Sequence, residues 1–246
     1  THALTCIPMG LAVSAAVAFR SGLSINSDKI SIYYNHHRIQ DPYNGTGASA
    51  WVSGVGKIGA KYAAMEDVYD SLSPAGIDEN GHGGSLSGFT PIETEYELFP
   101  QDKRDLDAAQ INSVVFDDEE GLMVIGDFTM QTTQSDTSFI GTRRLYNLLL
   151  EAISKQVLRR QVFKNNDTFH RLKAFSLTDS LLTPVKAGEF LFDYRIQCDL
   201  DNNDAPIRNA RKFVLTVFVQ AQTNSQEVEL NFVRLPQGDV LASLGG

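Results

Sequence analysis

His36, His37 and Asp41 place two imidazoles and a carboxylate within six residues, side chains that can ligate a metal ion or exchange protons near neutral pH. Neighbouring residues of an extended segment point to opposite faces, so adjacent histidines at a strand exit converge poorly on one ion. A surface or interface pair is the expected role. Residues 53–59, SGVGKIG, invite a phosphate-binding reading, because glycines let backbone amides approach phosphate oxygens at a helix start. The Walker pattern fails, since its first glycine falls on Trp51 and Ile58 follows Lys57 where Ser or Thr is required. The stretch reads as a glycine-rich helix start packed against a strand. Asp199, Asp201 and Asn203 have calcium-loop spacing, but Asp204 and Ala210 stand where its glycine and glutamate belong, so a tight turn is expected. His82 lies in the loop-like run ENGHGG, His170 sits among helix residues, and no Gly-x-Ser-x-Gly elbow occurs. No catalytic, cofactor or metal residue is assigned. The competing reading is an intracellular α/β hydrolase or nucleotide-binding enzyme using His36, His37, Asp41 or residues 53–59, which requires a concave pocket of convergent polar groups.

Another kind of chemistry is written in residues 142–167, TRRLYNLLLEAISKQVLRRQVFKNND. Leu145, Leu148, Leu149, Ala152, Ile153 and Val157 recur at three- and four-residue intervals, which predicts a long amphipathic helix with Thr142 as N-cap. Its opposite face is basic, carrying Arg143, Arg144, Lys155, Arg159 and Arg160. Asp167 is then placed to cap a second helix running through Phe169, Leu172 and Phe175 to about residue 182.

The chain of 246 residues can bury a substantial core without staples, and its net charge of −9 argues against nucleic-acid binding by the whole surface. That charge is unevenly spread: residues 61–137 hold 17 acidic against 3 basic residues, whereas 141–175 hold 8 basic against 2 acidic. Such asymmetry suggests self-complementary association or docking onto a charged partner. Cys6 and Cys198 show no disulfide or zinc spacing and read as reduced, buried thiols of a cytoplasmic product. No apolar run reaches membrane-spanning length, and no membrane contact is expected. A first residue of Thr1 suggests a piece of something longer.

Along the chain, residues 10–20 read as a small-residue helix, 24–27 as a loop and 29–34 as a strand with Ile30 and Ile32 alternating with Lys29 and Ser31. A polar exit at 35–38, a turn at 41–47 and a helix over 53–67 follow. Residues 77–100 begin as a flexible loop and end as a strand exposed on one face. Residues 111–116 and 122–128 form a hairpin around the acidic turn DDEE. Strict alternation over 189–198 predicts a half-buried strand, with Phe190, Phe192, Tyr194, Ile196 and Cys198 on one face. Residues 213–219 are apolar on both faces, as in a strand covered by helices on each side. Val228, Leu230 and Phe232 form the apolar set of a last strand, and the tail beyond Leu235 has linker composition.

Several of these runs stand in an order that resembles the C-terminal domain of contractile phage tail sheath proteins. Arg143, Arg144, Leu145, a helix, then residues 162–167, VFKNND, resemble its RRL, helix, VFEPND signature, with Lys164 and Asn165 where Glu and Pro are usual. Residues 53–60 occupy its PPSGHVAG motif without the proline pair, and 73–76 its APAN-like turn. Residues 107–115 and 121–128 stand at its LNxxGINxI and RVWGART strands, Gly126 matching the glycine, and 198–204 at its CDETNN loop. The match is collinear over roughly residues 28–235.

What the resemblance implies is an α/β (α+β) fold, a mixed β-sheet of about five or six strands flanked by helices. It implies a single core domain over 1–246, with an N-terminal segment at 1–27, a conserved core at 28–235 and an arm or linker from 236. The function implied is that of a structural, non-enzymatic sheath subunit of the virion, assembled in the bacterial cytoplasm. It would polymerise as stacked hexameric rings around an inner tube and contract to drive the tube through the host envelope. Implied partners are other sheath subunits, the tail tube, the baseplate and the tail terminator, with no cofactor. Arg143, Arg144, Lys155, Arg159 and Arg160 become candidate contacts to tube or neighbour, and Val228, Leu230 and Phe232 candidates for strand addition between subunits.

Overall fold

The run ISIYY becomes β2 (Ile30–Tyr34), an inner strand of a four-stranded mixed sheet in the computed structural model, which describes residues 2–41, 44, 47–64, 72–75, 91–117 and 121–222. The sheet order is β1 (Ala3–Cys6), β2, β6 (Asn112–Asp117), β7 (Gly121–Ile125); β1 and β6 run parallel to β2, and β7 closes a hairpin on β6. The expected one-sided alternation of β2 is not what forms. Ser31 is fully buried, and Ile32, Tyr33 and Tyr34 are at most 2% exposed, because both sheet faces are covered. Ile32 and Tyr34 pack with α1 (Val13–Gly22) and α3 (Pro100–Ala108) through Ala16 and Leu106. Tyr33 faces the other way, towards Ile58 of α2 (Val55–Ala64) and Val114. Helix α3 was not legible in the sequence, where residues from 107 onward read as strand.

Two asparagines fix how the chain leaves this sheet. Asn112 donates to the carbonyls of Ile32 at 3.1 Å and Phe128 at 2.8 Å and accepts from the Phe128 amide at 2.7 Å. Gly126 passes so close that a Cβ there would sit 3.0 Å from the Asn112 side-chain oxygen, and its φ of +110° independently requires glycine. Asn35, at φ +89°, turns the chain sharply after β2 and ties it to Tyr96 and the Val114 carbonyl. That turn makes 36–40 a strand and not the loop entry expected: β3 (His36–Gln40) lies between β4 (Ser49–Ser53) and β5 (Pro91–Thr94) in an antiparallel three-stranded sheet.

Among the described residues the third sheet pairs β8 (Leu191–Gln197) with β9 (Thr216–Ala221), antiparallel. The α+β class expected from the sequence is the one that forms, its strands divided among three sheets instead of gathered in one. A register shift between Leu191 and Asp193 breaks the predicted alternation of β8: Leu191 is buried and Phe192 is 64% exposed, the reverse of the expected phase. Among the described residues strand β9 is covered on one face only. Its Val217, Val219 and Ala221 pack towards Leu145, Leu149 and Leu182, while Phe218 is 53% exposed. The acidic turn at 118–120 and the last predicted strand lie outside the described residues.

Candidate interaction surface

The long helix begins earlier than its sequence suggested. Helix α4 (Ile140–Ile153) has Phe139 at its N-cap, and Thr142 lies inside the first turn. A carboxylate substitutes for the missing cap: buried Asp127 accepts from the Gly141 amide at 3.2 Å, where a helix N-terminus favours negative charge. Burial outweighs this and the Ser73 hydrogen bond, and holds the Asp127 carboxyl up at about 6. Helix α4 runs through a π-turn (Ser154–Leu158) into α5 (Arg159–Gln161). The π-turn matters for phase. At about 100° per residue, eight residues from Leu149 to Val157 would rotate Val157 some 80° off the buried face, and one residue absorbed by the wider turn brings it back. Val157 is fully buried, and Gln161 beyond it is 7% exposed.

The five basic candidates separate into two groups. Arg144 is only 6% exposed, donates to the carbonyls of Leu72 at 2.7 Å and Tyr62 at 2.6 Å, and lies 4.6 Å from the Tyr62 ring centroid. It is spent inside the fold and is not an exposed docking charge: on α4 it shares the buried side with Ile140, Gly141 and Leu145, where its carbonyl acceptors lie. Arg143 pairs with Asp28 at 3.1 Å and is largely covered. Lys155, Arg159 and Arg160 are exposed, Lys155 bonding Glu151 one turn earlier. The free basic surface is therefore confined to the C-terminal end of the helix.

There the chain turns into α6 (Thr168–Ala187), capped as expected by Asp167, whose side chain accepts from the His170 amide at 2.8 Å. The turn is held by polar groups that no local spacing connects. Arg171, 5% exposed, donates to Asn166 at 3.0 Å; Asn166 donates to Asn203 at 2.9 Å and to the Lys212 carbonyl; Asn203, fully buried, bonds both backbone groups of Val214 at 2.8 Å. This knot joins the NND and DLDNN runs. Asp204 caps α7 (Ala205–Asn209), so the loop is the expected structural turn.

With Arg171 inside, three apolar residues of the predicted second helix are outside: Phe169, Leu172 and Phe175 are 68%, 63% and 41% exposed. Phe163, at φ +63°, is fully exposed, and Val162 is 58% exposed. The basic end of the long helix thus adjoins a turn and helix rich in uncovered apolar side chains, the composition of a protein-contact surface. Val228, Leu230 and Phe232 lie outside the described residues.

The residues of the competing reading do not come together. His36 faces Glu95 at 3.5 Å. His37 is fully buried without a hydrogen bond to either ring nitrogen, and burial, then Lys57 and His36, push it down to about 4. Asp41 sits at the far end of β3 with Asn44. Gly54 packs on Val114 and Ile58, and Gly59 on Leu4, the close helix-to-sheet packing expected of that glycine-rich start. Among the described residues no cluster of His, Cys, Asp and Glu is arranged to hold a metal, and no helix is long and apolar enough to cross a membrane.

This mixed architecture is the fold of sheath subunits from contractile injection machines. It superposes on a sheath complex of an extracellular contractile injection system in the contracted state with a TM-score of 0.76, covering 94% of this chain and 63% of that one at 14% identity. The sequence resemblance to tail sheath proteins is borne out as well. The chain is similar to the tail sheath protein of Vibrio phage KVP40, 29% identical over 212 residues, 86% of this chain and 30% of the relative. It is likewise similar to that of Enterobacteria phage T4, 28% identical over 252 aligned positions, 98% of this chain and 37% of the relative. The chain spans about a third of the length of these relatives. No protein-family model matches it.

Proposed function

We propose that this chain is the core of a structural subunit of a contractile tail sheath, a polymer of stacked hexameric rings around an inner tube whose contraction drives the tube through a host envelope. The observation that carries the reading is the near full-length alignment of the chain with two phage tail sheath proteins. The molecule's surface is consistent with it: Lys155, Arg159 and Arg160 form an exposed basic end suited to an acidic tube or a neighbouring subunit, where several weak pairs of about 0–1 kcal/mol each act together. Strand addition by Val228, Leu230 and Phe232 keeps the lattice connected while subunits rotate, because main-chain hydrogen bonds tolerate rigid-body motion about flexible linkers.

The partners of this reading are further copies of the subunit, the tail tube, the baseplate and the terminator; it involves no cofactor, nucleic acid, membrane contact or catalysis. The protein works in the virion tail after assembly in the host cytoplasm. Electron microscopy of the full-length protein tests the reading: tubular polymers are expected, alone or with tube and baseplate. A full-length protein that stays monomeric at high concentration with both present overturns it.

A further inference from the structure

On α6 the usual polarity of a surface helix is reversed. At about 100° per residue, Arg171, Ala174, Thr178 and Leu182 share one side of the helix, and all four are buried. Phe169 and Leu172 project from the opposite side, one turn apart and about two-thirds exposed, with Lys173 beside them and Lys164 on the preceding turn. Large apolar side chains held in water by a helix whose inner face is already satisfied have no role in folding the subunit. They mark a face that something else covers.

The acidic half of the same chain carries a surface of matching character. Leu98 packs into the core against Ile7 and Leu106, so its extended neighbours Glu97 and Phe99 both turn outward; Phe99 is 62% exposed. Residues 93–105 hold five acidic and two basic side chains. One surface is therefore apolar with lysines, the other apolar with carboxylates.

We propose that Phe169 and Leu172, flanked by Lys164 and Lys173, dock the corner formed by Glu97 and Phe99 of a second copy of this chain. The proposal rests on the sheath reading above and assigns it a contact. Because the two patches differ, the contact is head-to-tail: each copy offers one patch and uses the other, so association continues into a ring or helix instead of stopping at a dimer. Charge sets the pairing and orientation, while the aromatic and leucine side chains supply the buried area.

The test uses full-length protein under conditions in which the wild type forms tubes, read by sedimentation and electron microscopy. Leu172→Glu, Lys173→Glu and Glu97→Lys are each expected to lower the polymerised fraction about tenfold, and combining Lys173→Glu with Glu97→Lys to restore most of it. Leu172→Cys together with Phe99→Cys is expected to give a ladder of linked subunits with a short bis-maleimide, absent from either single variant. These positions are exposed, so thermal unfolding of the variants should match the wild type. Wild-type tubes with undiminished assembly of every variant and no ladder overturn the contact and leave the sheath reading standing. Variants that assemble alone but fail on the inner tube identify the tube as occupant and also overturn it. A wild type that never polymerises overturns both.

Discussion

The four-stranded sheet around β2 and the two-stranded sheet of β8 and β9 treat their apolar residues in opposite ways. In the first, Ile32 is fully buried, Tyr33 and Tyr34 are 2% exposed, and helices cover both faces. In the second, one face packs on α4 and α6 while Phe192 and Phe218 stand 64% and 53% exposed on the hairpin. The described residues bury the N-terminal sheet on both faces, whereas the C-terminal sheet and α6 present apolar side chains that the described residues leave uncovered. The sheath subunit proposed above would use both: a rigid body that survives rearrangement, and a surface whose burial waits for a neighbour.

The largest effect is expected at Ile32. Ile32→Ala should destabilise the chain by about 2–5 kcal/mol in urea unfolding, since it removes a core side chain from a site closed on all sides. Phe218→Ala, an equally large truncation, should cost no more than about 1 kcal/mol. Equal losses at the two sites would erase the distinction. Next in size is Arg144→Met, expected to cost about 2–3 kcal/mol: it leaves the Leu72 and Tyr62 carbonyls without their donor and removes a cation favouring the Asp127 carboxylate. A change near zero would return Arg144 to the exposed group.

A smaller effect appears with pH. The His37 imidazole falls from an ordinary 6.5 to about 4, chiefly through burial, so below 6.5 the unfolded chain binds the proton that the folded chain refuses. Stability should therefore decline as pH drops from 6.5 to 4. Asp127, raised from 3.8 to about 6, acts in the opposite sense, because the folded state holds its proton more tightly over that range. His37→Phe isolates the first contribution: its stability relative to wild type should grow by about 1–3 kcal/mol between pH 6.5 and 4. A constant difference would mean that His37 is not buried neutral. The smallest effect belongs to α6, where Leu172→Ser should move stability by less than about 0.5 kcal/mol. A larger loss would place Leu172 in the core of the isolated subunit.

Periodicity alone located the β6 and β7 hairpin, the cap at Asp167 and the helices on either side of it, because each is a local pattern of side-chain spacing or capping. It left the inner face of α6 open: Phe169, Leu172 and Phe175 outscore Arg171 and Thr178 in hydrophobicity, yet the arginine goes inside, where it bonds Asn166, itself held by the distant Asn203. It also misassigned Arg144, whose acceptors lie 72 and 82 residues away in sequence. The candidate site was half legible: the basic residues were visible, but their division into buried and exposed groups was not.

By itself the sequence determined the α+β class, the charge asymmetry between the acidic segment and the basic helix, and the order of motifs shared with tail sheath proteins, since these depend on composition and local spacing. Tertiary structure decided how the strands divide among three sheets, where the π-turn and the break in β8 shift the phase, and which charges remain on the surface. Those outcomes depend on which distant backbone groups each side chain must satisfy, and burial follows that pairing even where it sets an arginine inside and a phenylalanine in water.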